Sequence, residues 1–182
     1  ESLGLKGMKT STLSRMCGLA AASLEPVQVE ILRELKLSDL ALHLDETLWK
    51  IQNKAEKDGY MWVISNRYGS HYAFKPTRSG QVIKDLLKGY DGPVVTDGYA
   101  GYNILSETNI VQGYCWAHAR REFLKLEDHD ASVKPILDEM DRLFEVEREA
   151  RDFAHLKELR QSKSEPITNR LKNLLIQEYP SS

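Results

Sequence analysis

Two aspartates in this sequence are placed where a sheet protein could hold a metal ion. Asp45 lies in the segment LHLDET and Asp97 in the segment VVTDGYAGY, and each is predicted to end a strand. If the two strands lie side by side and parallel, both carboxylates emerge at the same sheet edge, where α/β proteins bind ligands. Two carboxylates suit Mg²⁺ or Mn²⁺, and such ions assist phosphodiester chemistry at the attacking and leaving oxygens. The alternative is structural, because aspartate after a strand often caps a turn and Asp-Gly is itself a turn dipeptide.

The elements that must position these aspartates follow from the hydrophobic pattern. Short turns join the first three predicted strands, which should therefore be antiparallel, whereas the last two follow helical crossovers and should run parallel to a neighbour. The chain is thus predicted to be an α/β protein with a mixed five-stranded sheet and flanking helices. The predicted strands cover residues 40–46, 60–65, 71–75, 93–96 and 110–114.

Helices are predicted on both sides of this sheet region. One spans residues 11–22, and a second starts with Pro26 as its first residue and ends near Ser38. From Trp116 onward the apolar residues recur at helical spacing, which predicts an all-α segment at the C-terminal end. We therefore divide the chain into a helical lead-in, an α/β core and a helical insertion, at residues 1–38, 39–127 and 128–182.

The segment CWAHARREF is predicted to form a helix from Trp116 with two unlike sides. The apolar side is expected to pack on the sheet, and the other side carries three potential cations that could hold DNA phosphates: His118, Arg121 and Lys125. The alternative is a surface helix with ordinary salt bridges, for which Arg120 is a candidate. Cys115 and His118 have C-x-x-H spacing, but two further zinc ligands are not evident, so whether this motif is functional or structural stays open.

Three residues near the aspartates are further candidates for DNA contact. Tyr99 and Tyr102 follow Asp97 and could stack on a displaced base, although core packing explains them as well. Lys50 lies shortly after Asp45 and could contact a phosphate.

The charge of the chain is unevenly distributed. The net charge is −2, but residues 127–152 hold 10 acids and 4 bases, so the remainder is mildly basic. We interpret the acidic run mainly as solvated helix surface. Neither a signal peptide nor a membrane-length apolar run is evident, and two cysteines make no disulfide framework, so we expect a cytoplasmic protein. Because the chain starts at Glu1 and ends in a loop-like segment, we expect a fragment of a longer protein.

Four segments occur in an order that resembles one known family. They are LDETLWK at 44–50, TRSGQV at 77–82, TDGYAGYN at 96–103 and YCWAHARREF at 114–123. Together they resemble the central domain of TnpC-type transposases of the insertion-sequence-sixty-six family. That family is similar to the DDE transposases, whose fold is ribonuclease H-like, and the derived order of strands and helices is also the ribonuclease H-like order.

The resemblance implies a function and a site. Asp45 and Asp97 would be the first two acids of a catalytic triad that binds Mg²⁺ or Mn²⁺. The activity would be cleavage of double-stranded DNA at insertion-sequence ends and strand transfer to a target, by a homo-oligomer of the full-length protein. The third acid, a glutamate in an Asn-Asn-x-x-Glu-Arg type motif, has no counterpart before Ser182, so we expect this chain alone to be inactive.

Two alternatives remain open at this point. The chain could be a non-catalytic DNA-binding or assembly module from a truncated transposase, or it could belong to another ribonuclease H-like nuclease. The nuclease would share both aspartates, so only the reaction products would distinguish it from a transposase.

Overall fold

The computed structural model describes residues 9–51 and 57–178. By internal packing the chain forms two compact units, one up to Tyr114 and one from Cys115, and each is described by itself. The boundaries after residues 38 and 127 stay predictions. The helix that starts at Trp116 belongs to the second unit.

The first unit begins with one long helix, α1, at Thr10–Leu37. The prediction of two helices separated before Pro26 is wrong, because Pro26 lies inside this single helix. Proline removes one backbone hydrogen bond from a helix interior and clashes with the preceding turn. The run of alanines at 20–22 has the highest helix propensity of any residue type, and the helix continues through the proline.

The sheet has the mixed five-stranded order β3-β2-β1-β4-β5. Strands β1 and β2 pair antiparallel, as do β2 and β3, whereas β4 runs parallel to both β1 and β5. The predicted α/β class and the predicted strand directions are confirmed. The strands are β1 (Leu42–Trp49), β2 (Gly59–Asn66), β3 (Gly69–Lys75), β4 (Val94–Thr96) and β5 (Gln112–Tyr114).

The core of the first unit lies on one face of this sheet. Leu42 and Leu44 of β1 are buried while the alternating residues His43 and Asp45 are exposed, as the two-residue period of a strand requires. Helix α2 (Gly80–Leu86) and a 3₁₀ helix (Ala100–Glu107) are the crossovers that surround β4. The core side chains that they and the sheet contribute include Trp62, Ile64, Ile83, Leu86, Val94, Tyr102 and Leu105.

The second unit is helical, as the sequence predicted. Its apolar stripes meet in one core that contains Ile136, Met140 and Leu171. Five π-helical residues at 160–164 join α5 to α6. The helices are α3 (Trp116–Leu124), α4 (Val133–Glu149), α5 (Phe153–Leu159) and α6 (Glu165–Glu178). Within the described part of the chain, no helix is both long and apolar enough to cross a membrane.

Candidate active site

Asp45 and Asp97 lie at the same level on neighbouring parallel strands. The register pairs Leu42 with Val94 and His43 with Val95, so two residues further along each strand the positions are Asp45 and Asp97. Asp97 directly follows the end of β4, as predicted. Asp45 does not end its strand, but it lies just beyond the last residue that β1 pairs with β4. The structure therefore brings the two predicted acids to one sheet edge.

One oxygen of each carboxylate accepts a backbone hydrogen bond. Asp97 Oδ1 accepts from the backbone N–H of Tyr99 at 2.9 Å, and Asp45 Oδ1 accepts from the N–H of Glu46, also at 2.9 Å. Asp97 thus forms the turn that the structural alternative described. Its side chain is nevertheless 22% exposed, and Asp45 is exposed. Turn formation and an accessible carboxylate therefore coexist at Asp97.

The sequence prediction missed the group that supports this edge. Glu46 follows Asp45 in β1, so the two side chains lie on opposite faces of the sheet. The side chain of Glu46 is 0% exposed. One of its carboxylate oxygens accepts from Arg78 Nε and the other from the hydroxyl of Tyr102. A buried carboxylate is tolerated only when its charge is paired and its oxygens are hydrogen-bonded. Both conditions are met here, so Arg78, whose side chain is 34% exposed, and the buried Tyr102 form one polar group with the buried carboxylate of Glu46.

Arg78 connects this polar group to the candidate site. Its Nη2 lies 3.8 Å from Asp97 Oδ2, while its guanidinium stacks at 3.7 Å over the ring of Tyr99. The Tyr99 hydroxyl donates to the Arg78 carbonyl at 3.0 Å. Burial opposes the charge of Arg78, but the hydrogen bond and charge of Glu46, with Asp97, raise its pKa above the ordinary value. Arg78 therefore stays cationic and lies between two carboxylates.

Tyr102 lies beneath the site as a neutral hydrogen-bond donor. It is fully buried and packs edge-on against Trp62 and Tyr99, with ring centroids 6.4 and 6.0 Å away. Burial, with the hydrogen bond to Glu46, raises the pKa of its hydroxyl well above the ordinary value. Burial of Tyr102 and the stacking of Tyr99 on Arg78 favour the packing alternative over base stacking for both tyrosines.

The other predicted DNA-contacting residues are mostly exposed. Lys50 directly follows β1 and is exposed. Three more lie in the second unit: His118 on α3 is half-buried, Arg121 on α3 is exposed, and Lys125, directly after α3, is exposed. Lys125 Nζ binds both carboxylate oxygens of Glu122 at 2.7 Å. Their contact with phosphates stays a prediction.

Part of the apolar side of α3 packs within the second unit. Ala119 and Phe123 pack against the core of that unit. The expected packing of this side on the sheet stays a prediction. Arg120 binds both carboxylate oxygens of Asp141 at 2.6 and 3.1 Å, which confirms its predicted structural pairing.

The acidic run at 127–152 is compensated within its own unit. Glu139 pairs with Arg142 and with Arg170 of α6. Glu147 pairs with Arg160, and Glu149 with Lys163. Several acids of this run thus bind bases of α4 itself or of neighbouring segments, and that part of the run is a partnered helix surface.

The donor set at the sheet edge bears on the expected metal. Across residues 9–51 and 57–178, no three or more His, Cys, Asp or Glu side chains form a group that could hold a metal ion. Among these residues, Cys115 and His118 therefore have no additional ligands with which to form a zinc site. Two carboxylates suit a cation such as Mg²⁺, which keeps several waters and binds substrate phosphates. The pair at Asp45 and Asp97 fits that kind of ion.

A mixed sheet of this order with two carboxylates beside β1 and β4 is the arrangement that the transposase resemblance implies. The chain belongs to the family described as Transposase IS66 family, whose model matches residues 2–182. The four motifs that carry the resemblance all lie within this range.

Two curated relatives come from Sinorhizobium fredii. Uncharacterized protein y4hP is 29% identical over 202 residues, covering 94% of this chain and 36% of that protein. Uncharacterized protein y4qI is 33% identical over 110 residues, covering 53% of this chain and 20% of that protein. The chain thus spans little more than a third of the length of y4hP. No solved structure matches it significantly.

Proposed function

We propose that this chain is the central catalytic domain of a DNA transposase with a ribonuclease H-like fold. The intact protein would cleave DNA strands at insertion-sequence ends and transfer them to a target. The observation that carries this proposal is the level placement of Asp45 and Asp97 beside the parallel strands β1 and β4. Family membership supports the transposase class, and the sheet-edge carboxylates supply the chemistry that such a reaction requires.

The proposed cofactor is Mg²⁺ or Mn²⁺, held by Asp45 and Asp97. Such an ion, when bound, activates the attacking oxygen and stabilises the leaving oxygen of a phosphodiester. The charges of the described residues at this site suit a divalent cation. Arg78 neutralises Glu46 within the polar group, so Asp45 and Asp97 together offer two negative charges to a divalent cation. We assign Asp45 the role of ligating or bridging the ions and Asp97 that of ligating one.

Arg78 is proposed as a positioning residue for Asp97. Its guanidinium is held by Glu46 on one side and stacked on Tyr99 on another, which leaves Nη2 directed at Asp97 Oδ2. Asp97 Oδ1 is meanwhile held by the Tyr99 N–H. The two contacts together fix the orientation of the carboxylate before any ligand arrives, as preorganised sites require.

The partner of this site is proposed to be double-stranded DNA, from both transposon ends and target. Lys50, His118 and Arg121 of α3, and Lys125 directly after that helix would contact its phosphates, which position a duplex without reading its sequence. The full-length protein would act in the cytoplasm as a homo-oligomer. A third acid is needed for the triad, and because no motif of the expected type lies in these 182 residues, we propose that the chain alone is inactive.

A second candidate is a DNA-binding or assembly module without catalysis. The described residues contain no group of three possible metal ligands, which such a module would share with a catalytic domain that lacks its third acid. Another ribonuclease H-like nuclease would share the acids but would not join strands.

Reaction products separate the three functions. The intact parent protein, supplied with Mg²⁺, labelled insertion-sequence ends and a target plasmid, is expected to give strands covalently joined to the target. Cut ends without joined products would instead indicate a nuclease. The 182-residue chain is expected to bind duplex DNA with an affinity that falls as salt rises, and to give no products. Salt-dependent binding with no products from the intact protein would establish the non-catalytic module.

A further inference from the structure

The N-terminal part of α1 carries an apolar stripe that nothing in the described unit covers. Every residue from Leu13 to Val27 is exposed, and the helix is partly buried again from Gln28. Four large apolar side chains lie on one side of this part of the helix and are 44–56% exposed: Leu13, Met16, Leu24 and Val27. With Ala20 between them, they form one continuous face at helical spacing.

Exposing this apolar helix face to water is energetically unfavourable. A helical stretch of this length is marginal in water unless an amphipathic face packs against something. Contiguous exposed apolar surface of this kind marks an interaction site. The helix is therefore expected to have a partner along the stripe.

The same helix borders a groove that could receive such a partner. The groove measures about 890 Å³ and lies between the C-terminal part of α1 and the turn between β2 and β3. Its apolar lining includes Val27, Ile31, Leu35 and Tyr68. Three carboxylates also line it, from Glu30, Glu34 and Asp39, and Arg33 pairs with the first two. The occupant that fits is an apolar helix with a basic residue near its end.

The N-terminal part of α1 itself has these properties. Its apolar stripe starts at Leu13, and Lys9 precedes the helix. We propose that α1 pairs antiparallel with α1 of a second copy, about a two-fold axis at Ala20. Residues equidistant from Ala20 then face each other. Leu13 of each copy meets Val27 of the other, and Met16 meets Leu24.

The charges and the small residues agree with this register. The register places Lys9 of each copy beside Glu30 and Glu34 of the other, where the groove is acidic. Alanine at the crossing point lets the two helices approach closely. A two-fold axis requires such a self-complementary surface. The same apolar stripe, one on each copy, forms both sides of the interface. This inference deepens the homo-oligomer part of the proposed function by naming its surface, and it does not depend on catalysis.

Sedimentation equilibrium of the 182-residue chain, over a wide concentration range, tests the pairing. The unaltered chain is expected to form dimers, and Met16→Glu or Leu24→Glu to shift it to monomer. Val29→Glu is the matched control, because Val29 lies on the opposite side of the same helix and is 63% exposed. It should leave the dimer unchanged. Circular dichroism of each variant checks that the helices persist.

Disulfide trapping tests the direction of pairing. Leu13→Cys and Val27→Cys chains, each in a Cys17→Ser background, are mixed and oxidised. Antiparallel pairing predicts cross-links between the two different chains. Cross-links only between identical chains would overturn the register, and a chain that stays monomeric at all concentrations would overturn the proposal. Neither result would alter strand joining by the intact protein, which tests the proposed function separately.

Discussion

Asn in place of Asp45 or Asp97 in the intact transposase is expected to reduce strand cleavage about a thousandfold or more, the order of loss when one member of a catalytic unit is removed. The amide has the size of the carboxylate, and its oxygen can still accept the Tyr99 N–H bond at position 97. The negative charge that would bind the metal is lost. Folding should therefore change little while the chemistry fails.

Asp91→Asn is the matched control for this loss. Asp91 is an exposed acid of the same unit, shortly before β4, so the same substitution there should leave cleavage near the unaltered rate. Gel assays on labelled insertion-sequence ends with Mg²⁺ measure the rates, and thermal melting reports folding. Cleavage retained by the Asp97→Asn protein would remove Asp97 from the catalytic centre.

Arg78→Met is expected to destabilise the first unit by about 3 kcal/mol, because it leaves Glu46 as an unpaired buried carboxylate. Glu46 is 0% exposed, and the Tyr102 hydroxyl is its other hydrogen-bond partner. The double variant Glu46→Gln with Arg78→Met removes the buried charge along with its partner and should recover most of the loss. Urea denaturation of the 182-residue chain at neutral pH measures the free energy of unfolding.

Arg33→Met supplies the exposed counterpart of this change. Arg33 also binds two carboxylates, but its side chain is 54% exposed, and exposed ion pairs contribute at most about 1 kcal/mol. A loss for Arg78→Met no larger than the loss for Arg33→Met would mean that the Glu46 pair does not support the sheet edge. A double variant no more stable than Arg78→Met alone would lead to the same conclusion.

The sheet was predictable because its signals are local. Alternation such as Leu42-His43-Leu44-Asp45 sets the inward face of a strand, and short turns set antiparallel pairing. The extent of β1 was not predictable in this way. Its residues 46–49 pair only with β2 and are largely exposed beyond Glu46, so they lack the alternation that marks a half-buried strand.

The support of the site was not predictable from the sequence. Glu46 and Arg78 lie in two different motifs, and a charged residue is normally assigned to the surface. Only the fold shows that the side chain of Glu46 enters the core and that Arg78 reaches both Glu46 and Asp97. The clue in the sequence was that both residues lie within the segments that carry the family resemblance. Local patterns thus located the acids, and tertiary contacts located Arg78, which we propose orients Asp97.

The central claim is that Asp45 and Asp97 hold a divalent cation, and paramagnetic broadening by Mn²⁺ tests it most directly. In the ¹H–¹⁵N spectrum of the 182-residue chain, small additions of Mn²⁺ should broaden amide signals at residues 44–46 and 96–98 first. Each single substitution, Asp45→Asn or Asp97→Asn, should abolish that broadening while the rest of the spectrum persists. The acidic run at 127–152 is the competing site in the same molecule. Broadening confined to that run, and unaffected by either substitution, would contradict the claim.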